Sequence, residues 1–470
     1  MLRSSIGPCC GPNAVSRIPP DPRLPLCDDG PVRLSSIDRR IITLAVTALG
    51  TLAIEPLYLL VDTAIVGRLG TDPLAGLAIA STILLTVSAL FIFLQYGTTP
   101  DVARAEGAGD TASSKLIATD TTWLAIMLGI PVGAAIALLA RPLAITLGGT
   151  GDVLVAATTY LRISAIGLPF IFVAMVGHGI MRGHNDLRKP LIVVLIANVA
   201  NVILELIVVY GFDMGVAGSA WSTVIVQIGA AIMFGFILRP HLANVKPSWQ
   251  RMRPILARGT HFGLRSIAML AAWIAMIRVA ASVDTPTLAA TQVLIQLFTL
   301  MALALDALAI PAQSLVAGAL GASDREGAMA IGWSSRRLSL WVGAAFCLLL
   351  LATYPVLPDV FTNDPEVASR VAVGILFLAV MQFPGAIAFA LDGVLIGGHD
   401  AKFLSRAAVL NLLSAAPLLI ATALHPSLGI AGLWGAELAL MVSRAGVNSR
   451  RFGSRRWMAH EPVSVGAPTP

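Results

Sequence analysis

The chain states one pattern twice, at an offset of 214 residues: Gly215-Val216-Ala217-Gly218 returns as Gly429-Ile430-Ala431-Gly432. At the same offset, Ala103-Arg104-Ala105-Glu106-Gly107-Ala108-Gly109-Asp110 returns as Ala317-Gly318-Ala319-Leu320-Gly321-Ala322-Ser323-Asp324. A single offset relating both pairs means that a whole half was duplicated. Each half also carries about six apolar stretches long enough to cross a bilayer. They begin near Ile41, Leu74, Thr121, Val153, Pro190 and Val216, and again near Ile255, Thr287, Ile331, Val367, Phe403 and Leu428. Six spans per half give both repeats the same orientation, and transporters place their pathway between such repeats. The expectation is an all-α integral membrane protein, with twelve helices in two six-helix bundles, that works as a secondary transporter.

Composition excludes a soluble fold: 56% of residues are hydrophobic and 12% charged, too little polar surface to wrap a core of this size. The bilayer is the expected solvent and partner. With the N-terminus in the cytoplasm, most of the basic residues fall in cytoplasmic segments, including Arg39, Arg40, Arg188, Lys189, Arg251, Arg253, Arg258, Arg336 and Arg337. Arg68, Arg141 and Arg370 fall outside. The net charge of +6 is therefore a topology signal, and no nucleic-acid partner is expected. Residues 1–36, rich in Pro, Gly and Arg, read as a disordered cytoplasmic tail without a signal-peptide core. The bundles then occupy 37–240 and 255–452, with a cytoplasmic linker at 241–254 and a tail at 453–470. Cys9, Cys10, Cys27 and Cys347 show neither metal spacing nor a disulfide framework.

A charge at the bilayer centre costs on the order of 3 kcal/mol, so each ionisable residue inside a span is a functional candidate. In the first half these are Glu55, Asp62, Arg162, His178 and Glu205; in the second they are Arg265, Arg278, Asp306 and Asp392. Asn198, Asn201 and Glu205 share one face of span 5, while Glu55 and Asp62 flank Pro56, which frees a carbonyl and kinks span 1. Carboxylates facing carboxamides across two helices can hold a cation. Oxygen ligands suit Na⁺, and two neighbouring carboxylates favour keeping a proton at neutral pH. Simpler roles stand beside these. Asn198 can bridge helices, Asp62 and Glu55 can be solvated near a membrane face, Arg162 and His178 can satisfy each other, and Arg265 can snorkel.

Several fragments in order resemble the multidrug and toxic compound extrusion (MATE) family. They are Leu60-Val61-Asp62-Thr63-Ala64-Ile65-Val66-Gly67, Ala105 to Asp110, Ala197-Asn198 with Asn201 to Glu205, and Gly215 to Gly218. The second half resembles the DinF-like branch through Ala289 to Leu297, Ala304 to Ala309, Ala312-Gln313 and Leu391 to Gly397. The resemblance runs from about Ile41 to Arg450. It implies a V of two bundles around a central cavity and export of cationic or amphipathic small molecules in exchange for inward H⁺ or Na⁺, with no cofactor. By the same resemblance Asp62, Asn201 and Glu205, with Tyr160 and Thr223, form the cation-coupling site, where Na⁺ is the one metal expected. Glu205 stands where aspartate is usual. His178 stands where asparagine is common, which adds a group that titrates near neutrality and favours protons. The proline that many members carry early in span 1 is replaced by Ala45-Val46-Thr47.

The substrate cavity is assigned to Asp306, Asp392, Gln292 and Gln296, with Arg265 and Arg278 as cations that either join it or neutralise its acids. The chain is expected in the cell (plasma or inner) membrane as a monomer with both termini cytoplasmic. The principal alternative is a lipid-linked precursor flippase of the same superfamily, which calls for a cluster of basic residues in the cavity. An enzyme is not expected, because no nucleophile–base pair, zinc motif or P-loop occurs.

Overall fold

The structure, a computed structural model, describes residues 34–459, except the side chains of Glu55, Tyr58, Leu59 and Leu60. The tail readings for 1–33 and 460–470, and the role of Glu55, lie outside the described residues. In lipid every backbone N–H and C=O has to be satisfied within the chain, so apolar stretches become helices. The first half comprises α1 (Ser36–Gly67), α2 (Thr71–Phe91), α3 (Phe93–Gly107), α4 (Thr111–Thr146), α5 (Gly151–Ala165), α6 (Leu168–Gly183), α7 (Arg188–Leu206) and α8 (Gly215–Leu238). The second comprises α9 (Trp249–Val283), α10 (Thr285–Gly321), α11 (Arg325–Thr353), the short α12 (Leu357–Phe361), α13 (Pro365–Gly397), α14 (Ala401–Leu424) and α15 (Gly429–Gly453).

Among the described residues, ten helical passages are long and apolar enough to cross a membrane, α2 and α3 together making one of them. The pair α5 and α6, bent by 55° at its break, makes an eleventh. The 32-residue α1 runs through Pro56 as one helix and carries the first apolar stretch read from the sequence. Helix α9 starts at Trp249, inside the stretch read as a linker. Beyond Gly453 the chain does not fray at once: Trp457 is buried, stacks on Phe452 and donates its indole N–H to the Phe452 carbonyl at 3.0 Å.

The duplication is visible residue by residue. Asp110 and Asp324, 214 apart, each cap the following helix by accepting a backbone N–H, from Ser113 at 2.9 Å and Gly327 at 2.8 Å. The preceding Gly109 and Ser323 are both left-handed, at φ 73° and 61°, and so are Asn185 and His399, at 58° and 61°. Close helix crossings repeat too. Gly179 presses on the Gln95 carbonyl of α3, and Gly393, its equivalent, presses on the Ala309 carbonyl of α10. Small residues at such points let backbones approach where lipid offers no hydrophobic drive for association.

Among the described residues, the hydrophobic cores that mix the two halves lie toward one end. One core mixes Val102, Ile117 and Phe172 of the first half with Val316, Leu320 and Leu391 of the second. A second core, around Met276, Leu294 and Trp434, contains second-half residues alone. The joined end carries Arg104, Arg251, Arg258 and Arg337, and is called the basic end below. Helix α10 is the seam: Ala45 and Ala48 of α1 pack on it from one side, and α3 crosses it from the other. Gly393→Ala, whose new methyl would overlap the Ala309 carbonyl, should cost about 1–3 kcal/mol and lower the Tm. Gly229→Ala, which meets nothing within 4 Å, should stay within about 0.5 kcal/mol of wild type, and equal melting of the two variants would refute the close-crossing account.

Candidate functional site

Two polar clusters lie at membrane depth, one per half. In the first, α1 supplies Asp62, α5 Tyr160, α7 Asn201 and Glu205, and α8 Ser219 and Thr223. Asp62, Asn201 and Glu205 are 3%, 2% and 0% exposed. Ser219 donates its hydroxyl to Asp62 at 2.9 Å, and Asn201 donates an amide N–H to Thr223 at 3.4 Å. Tyr160 is buried beside Asp62, Ser219 and Thr223. Both oxygens of Glu205 and the amide oxygen of Asn201 are buried without a hydrogen-bond partner. Asp62 is the nearest charged group to Glu205, and among the described residues no arginine, lysine or histidine forms an ion pair with either acid. Past α7 the chain makes one π-helical turn, Ile207–Gly211, in which Tyr210 donates to the Ile65 carbonyl at 2.7 Å and ties that turn to α1 one turn beyond Asp62. Two carboxyl groups, an orphan amide oxygen and hydroxyls in a dry pocket form an acceptor-rich site that a proton or a small cation can complete.

The second cluster gathers at the basic side of the second half. Asp392 of α13 accepts from Arg265 of α9 at 2.5 Å, from Arg444 of α15, and from Asn448 at 2.7 Å. Arg444 also lies over the Phe389 ring, 4.7 Å from its centroid. Asp306 of α10 is half-buried and, among the described residues, forms no ion pair; Arg444, Arg265, Asp392 and Arg182 are its charged neighbours. Arg182 of α6 is buried and takes the side-chain oxygen of Gln95 as its acceptor, at 2.6 and 2.9 Å. Asp392 is thus a neutralised acid, and Asp306 is the carboxylate that remains accessible.

The MatE family model matches residues 48–207 and 263–420, one segment in each half and more than half of the chain in all. The chain belongs to the MatE family. Members of that family are membrane transporters rather than enzymes. The chain is 29% identical over 439 residues to "Protein DETOXIFICATION 44, chloroplastic" of Arabidopsis thaliana, covering 90% of this chain and 83% of that protein. It is 26% identical to "DNA damage-inducible protein F" of Escherichia coli over 90% of this chain and 94% of that one. It is 23% identical to "Probable multidrug resistance protein NorM" of Thermotoga maritima over 90% and 93%. In fold it is similar to a MATE crystal structure in the bent conformation, with a TM-score of 0.84 at 19% identity over 90% of this chain and 97% of that one. A mutant of the Vibrio cholerae MATE transporter VcmN gives a TM-score of 0.84 at 17% identity over 91% and 99%.

Not every residue singled out in the sequence of this MatE protein joins a cluster. Asn198 turns back to the Val194 carbonyl of its own helix at 2.7 Å. His178 packs against Phe234, with ring centroids 5.0 Å apart, and its charged neighbour is Arg182, so it stands apart from Asp62 and Glu205. It does not pair with Arg162 either, which is exposed on α5. Arg265 does not snorkel but bonds Asp392, whereas Arg278 is exposed and neutralises neither acid. Gln292 and Gln296 are exposed on α10, one helical turn apart. Ser219, Tyr210, Arg444, Asn448 and Arg182 were not anticipated. Glu437, Arg444 and Asn448 lie at i, i+7 and i+11, a polar stripe of the kind that marked span 5, and that spacing was the available signal. It was hidden because α15 is among the least apolar of the spans and runs into the basic residues from Arg450.

Removing Arg444 leaves Asp392 under-compensated in a buried position. Arg444→Ala should therefore destabilise the protein by about 3–5 kcal/mol, read as a lower Tm in detergent. The double variant Arg444→Ala with Asp392→Asn should recover part of that loss. A double variant that melts no higher than Arg444→Ala would show that lost packing, not the unpaired charge, sets the cost.

Proposed function

We propose that this protein is a cation-coupled antiporter that exports amphipathic small molecules by alternating access. The observation that carries the reading is the Asp62–Glu205 pair: two buried acids from α1 and α7 with which, among the described residues, no arginine, lysine or histidine forms an ion pair. Two negative charges in such a place repel each other and lack solvation, so the pair is stable when it shares a proton and unstable when both acids are ionised. Taking up a proton removes that repulsion and lets α1 settle against α7 and α8; losing it drives them apart. An ion that binds the two arrangements with different affinity shifts the balance between them, which is what coupling requires. Tyr210, bonded to the Ile65 carbonyl, links this movement to the turn after α7.

The unpartnered amide oxygen of Asn201 supports Na⁺ as a second reading, since it would add a neutral oxygen to the two carboxyls and the Thr223 hydroxyl. The separation of His178 from the cluster withdraws the argument for protons that rested on it. On the substrate side, Asp306 is the acid left to meet a cationic group, while Asp392 already holds two guanidinium groups. Relatives named as multidrug resistance proteins agree with this substrate class. A lipid-linked pyrophosphate would find Arg265 and Arg444 occupied by Asp392, which tells against the flippase. The basic end is assigned to the cytoplasm from its arginines, and the protein to the cell membrane as a monomer.

The test is purified protein in proteoliposomes with a fluorescent cationic dye, under a pH gradient or a Na⁺ gradient imposed separately. The proton reading expects the pH gradient alone to drive dye movement, and Asp62→Asn and Glu205→Gln each to cut it roughly tenfold or more. Movement driven only by Na⁺ selects the second reading. Wild-type coupled flux in both variants would sink the assignment of the ion site.

A further inference from the structure

Three of the arginines that read as a topology signal, Arg251, Arg258 and Arg337, have partners. At the basic end three buried aspartates of the first half are each held by an arginine of the second. Asp38 of α1 accepts from Arg337 of α11 at 2.5 Å, and also from Ser334. Asp101 of α3 accepts from Arg258 of α9 at 2.5 Å, and Asp120 of α4 from Arg251 of α9 at 2.5 Å. In all three pairs the acid belongs to one half and the base to the other. Asp101 has a further partner across the interface: His399, in the turn after α13, meets it at 2.6 Å through Nε2. Arg104 approaches the Nδ1 of that ring at 3.5 Å, and an arginine has only protons to give. Nδ1 is therefore the acceptor, and the Nε2 proton is donated to Asp101. Burial holds the His399 pKa below the ordinary imidazole range, in keeping with a neutral ring. On the other side of the interface Asn185, which precedes His399 by the repeat offset of 214, accepts from Ser314 of α10 at 2.9 Å. Each half thus sends the same left-handed turn to the crossing helix of the other.

Beneath these contacts α3 and α10 cross backbone to backbone. A methyl added at Gly107 would overlap the carbonyl oxygen of Gly318, and one added at Gly321 would overlap the carbonyl oxygen of Arg104. The two contacts are one contact related by the duplication, because Gly107 and Gly321, like Arg104 and Gly318, stand one repeat offset apart. The repeated motif that first exposed the duplication therefore meets its own copy on the internal symmetry axis, with the glycine of each copy seated on the other's backbone. Cavities of about 360 and 470 Å³ flank the crossing, the first lined by Asp101, Arg258 and His399, the second by Gly107, Gly318 and Asn185.

We infer that this crossing, clamped by Asp38–Arg337, Asp101–Arg258–His399 and Asp120–Arg251, is the gate that seals the basic end and has to part for that end to open. The pairs suit a reversible closure. Opening returns each charge to water, which offsets most of the lost attraction, whereas removing one partner strands a buried charge in the closed form only. The glycines set how tightly the halves close, and the ion pairs set how long they stay closed. The inference rests on the alternating access proposed above, but not on which ion or substrate the protein carries.

The experiment uses full-length protein in lipid nanodiscs, with Cys9, Cys10, Cys27 and Cys347 replaced and spin labels at positions 111 and 325, the exposed first residues of α4 and α11. The label separation is measured by pulsed electron resonance without substrate or ion gradient, so the result stands or falls separately from the antiport assay. The parent should show mainly a short distance. Gly107→Ala and Gly321→Ala should move the balance toward a longer distance roughly tenfold or more, and Gly97→Ala, in the same helix α3 with nothing within 4 Å of its new methyl, should not. Asp120→Asn, which breaks a clamp without touching the crossing, should shift it in the same direction and keeps the proposal testable if a glycine variant fails to fold. The short distance retained in folded Gly107→Ala or in Asp120→Asn would overturn the gate, as would a parent that already sits mainly at the long distance.

Discussion

A carboxylate inside a bilayer has to be paired, protonated or wet, and the positions of the acids follow from that constraint. Asp392 is paired twice. Asp38, Asp101 and Asp120 are paired across the interface between the halves, where the partnership also fastens the fold. Asp306 keeps an open side. Asp62 and Glu205 have none of these remedies among the described residues beyond one serine hydroxyl and each other, and on the proposed reading an ion from outside the chain completes them. The same penalty that would destabilise an unpaired acid elsewhere becomes the sensitivity of the proposed coupling site.

The duplication supplies a symmetric frame on which asymmetric chemistry is mounted. Caps, left-handed turns and glycine crossings recur at the repeat offset, because they are what two copies of one bundle need in order to fold and meet. The polar clusters do not recur. Positions 62, 201 and 205 correspond to Met276, Ala415 and Leu419, all three buried in the second-half core. His178 corresponds to Asp392, and the two have opposite surroundings: an aromatic ring beside an arginine for one, two guanidinium groups for the other. One half thus retains an unsatisfied acid pair and the other a satisfied ion cluster.

Much of the architecture was legible because its signals are periodic and long. The twelve starts read from hydropathy fall within about ten residues of the helices, and the largest offsets, at α4, α9 and α11, arise where polar turns extend a helix past the apolar core. The site was partly legible. Asp62, Asn201, Glu205, Tyr160 and Thr223 do converge, since face periodicity and family pattern agree there. His178 misled because charge and depth can be read from a sequence but the direction a side chain takes within a bundle cannot: it meets Phe234 and Arg182, and its helix α6 supplies no residue to the cluster. The clamps of the basic end were illegible for a related reason. Arginines near span ends carry a topology signal whether or not they have partners, and pairing across 131 to 299 residues leaves no local pattern.

The proposed ion site and the inferred gate make opposite demands, and the fold separates them accordingly. An ion site works only if its occupancy changes the packing around it, which calls for a helix held by few contacts. Around Asp62, the polar bonds that tie α1 to its neighbours include the Ser219 hydroxyl on Asp62 and the Tyr210 bond to the Ile65 carbonyl. A gate works only if it closes to one definite arrangement, which calls for contacts that tolerate no slack, and backbone seated on glycine backbone gives that. Helix α1 serves both. Its first turn carries Asp38, clamped to α11 at the basic end, and its later turns carry Asp62. A rigid helix anchored at one end and loaded at the other transmits small changes in packing along its length. On the proposed reading, that makes α1 the shortest mechanical route from the bound ion to the gate.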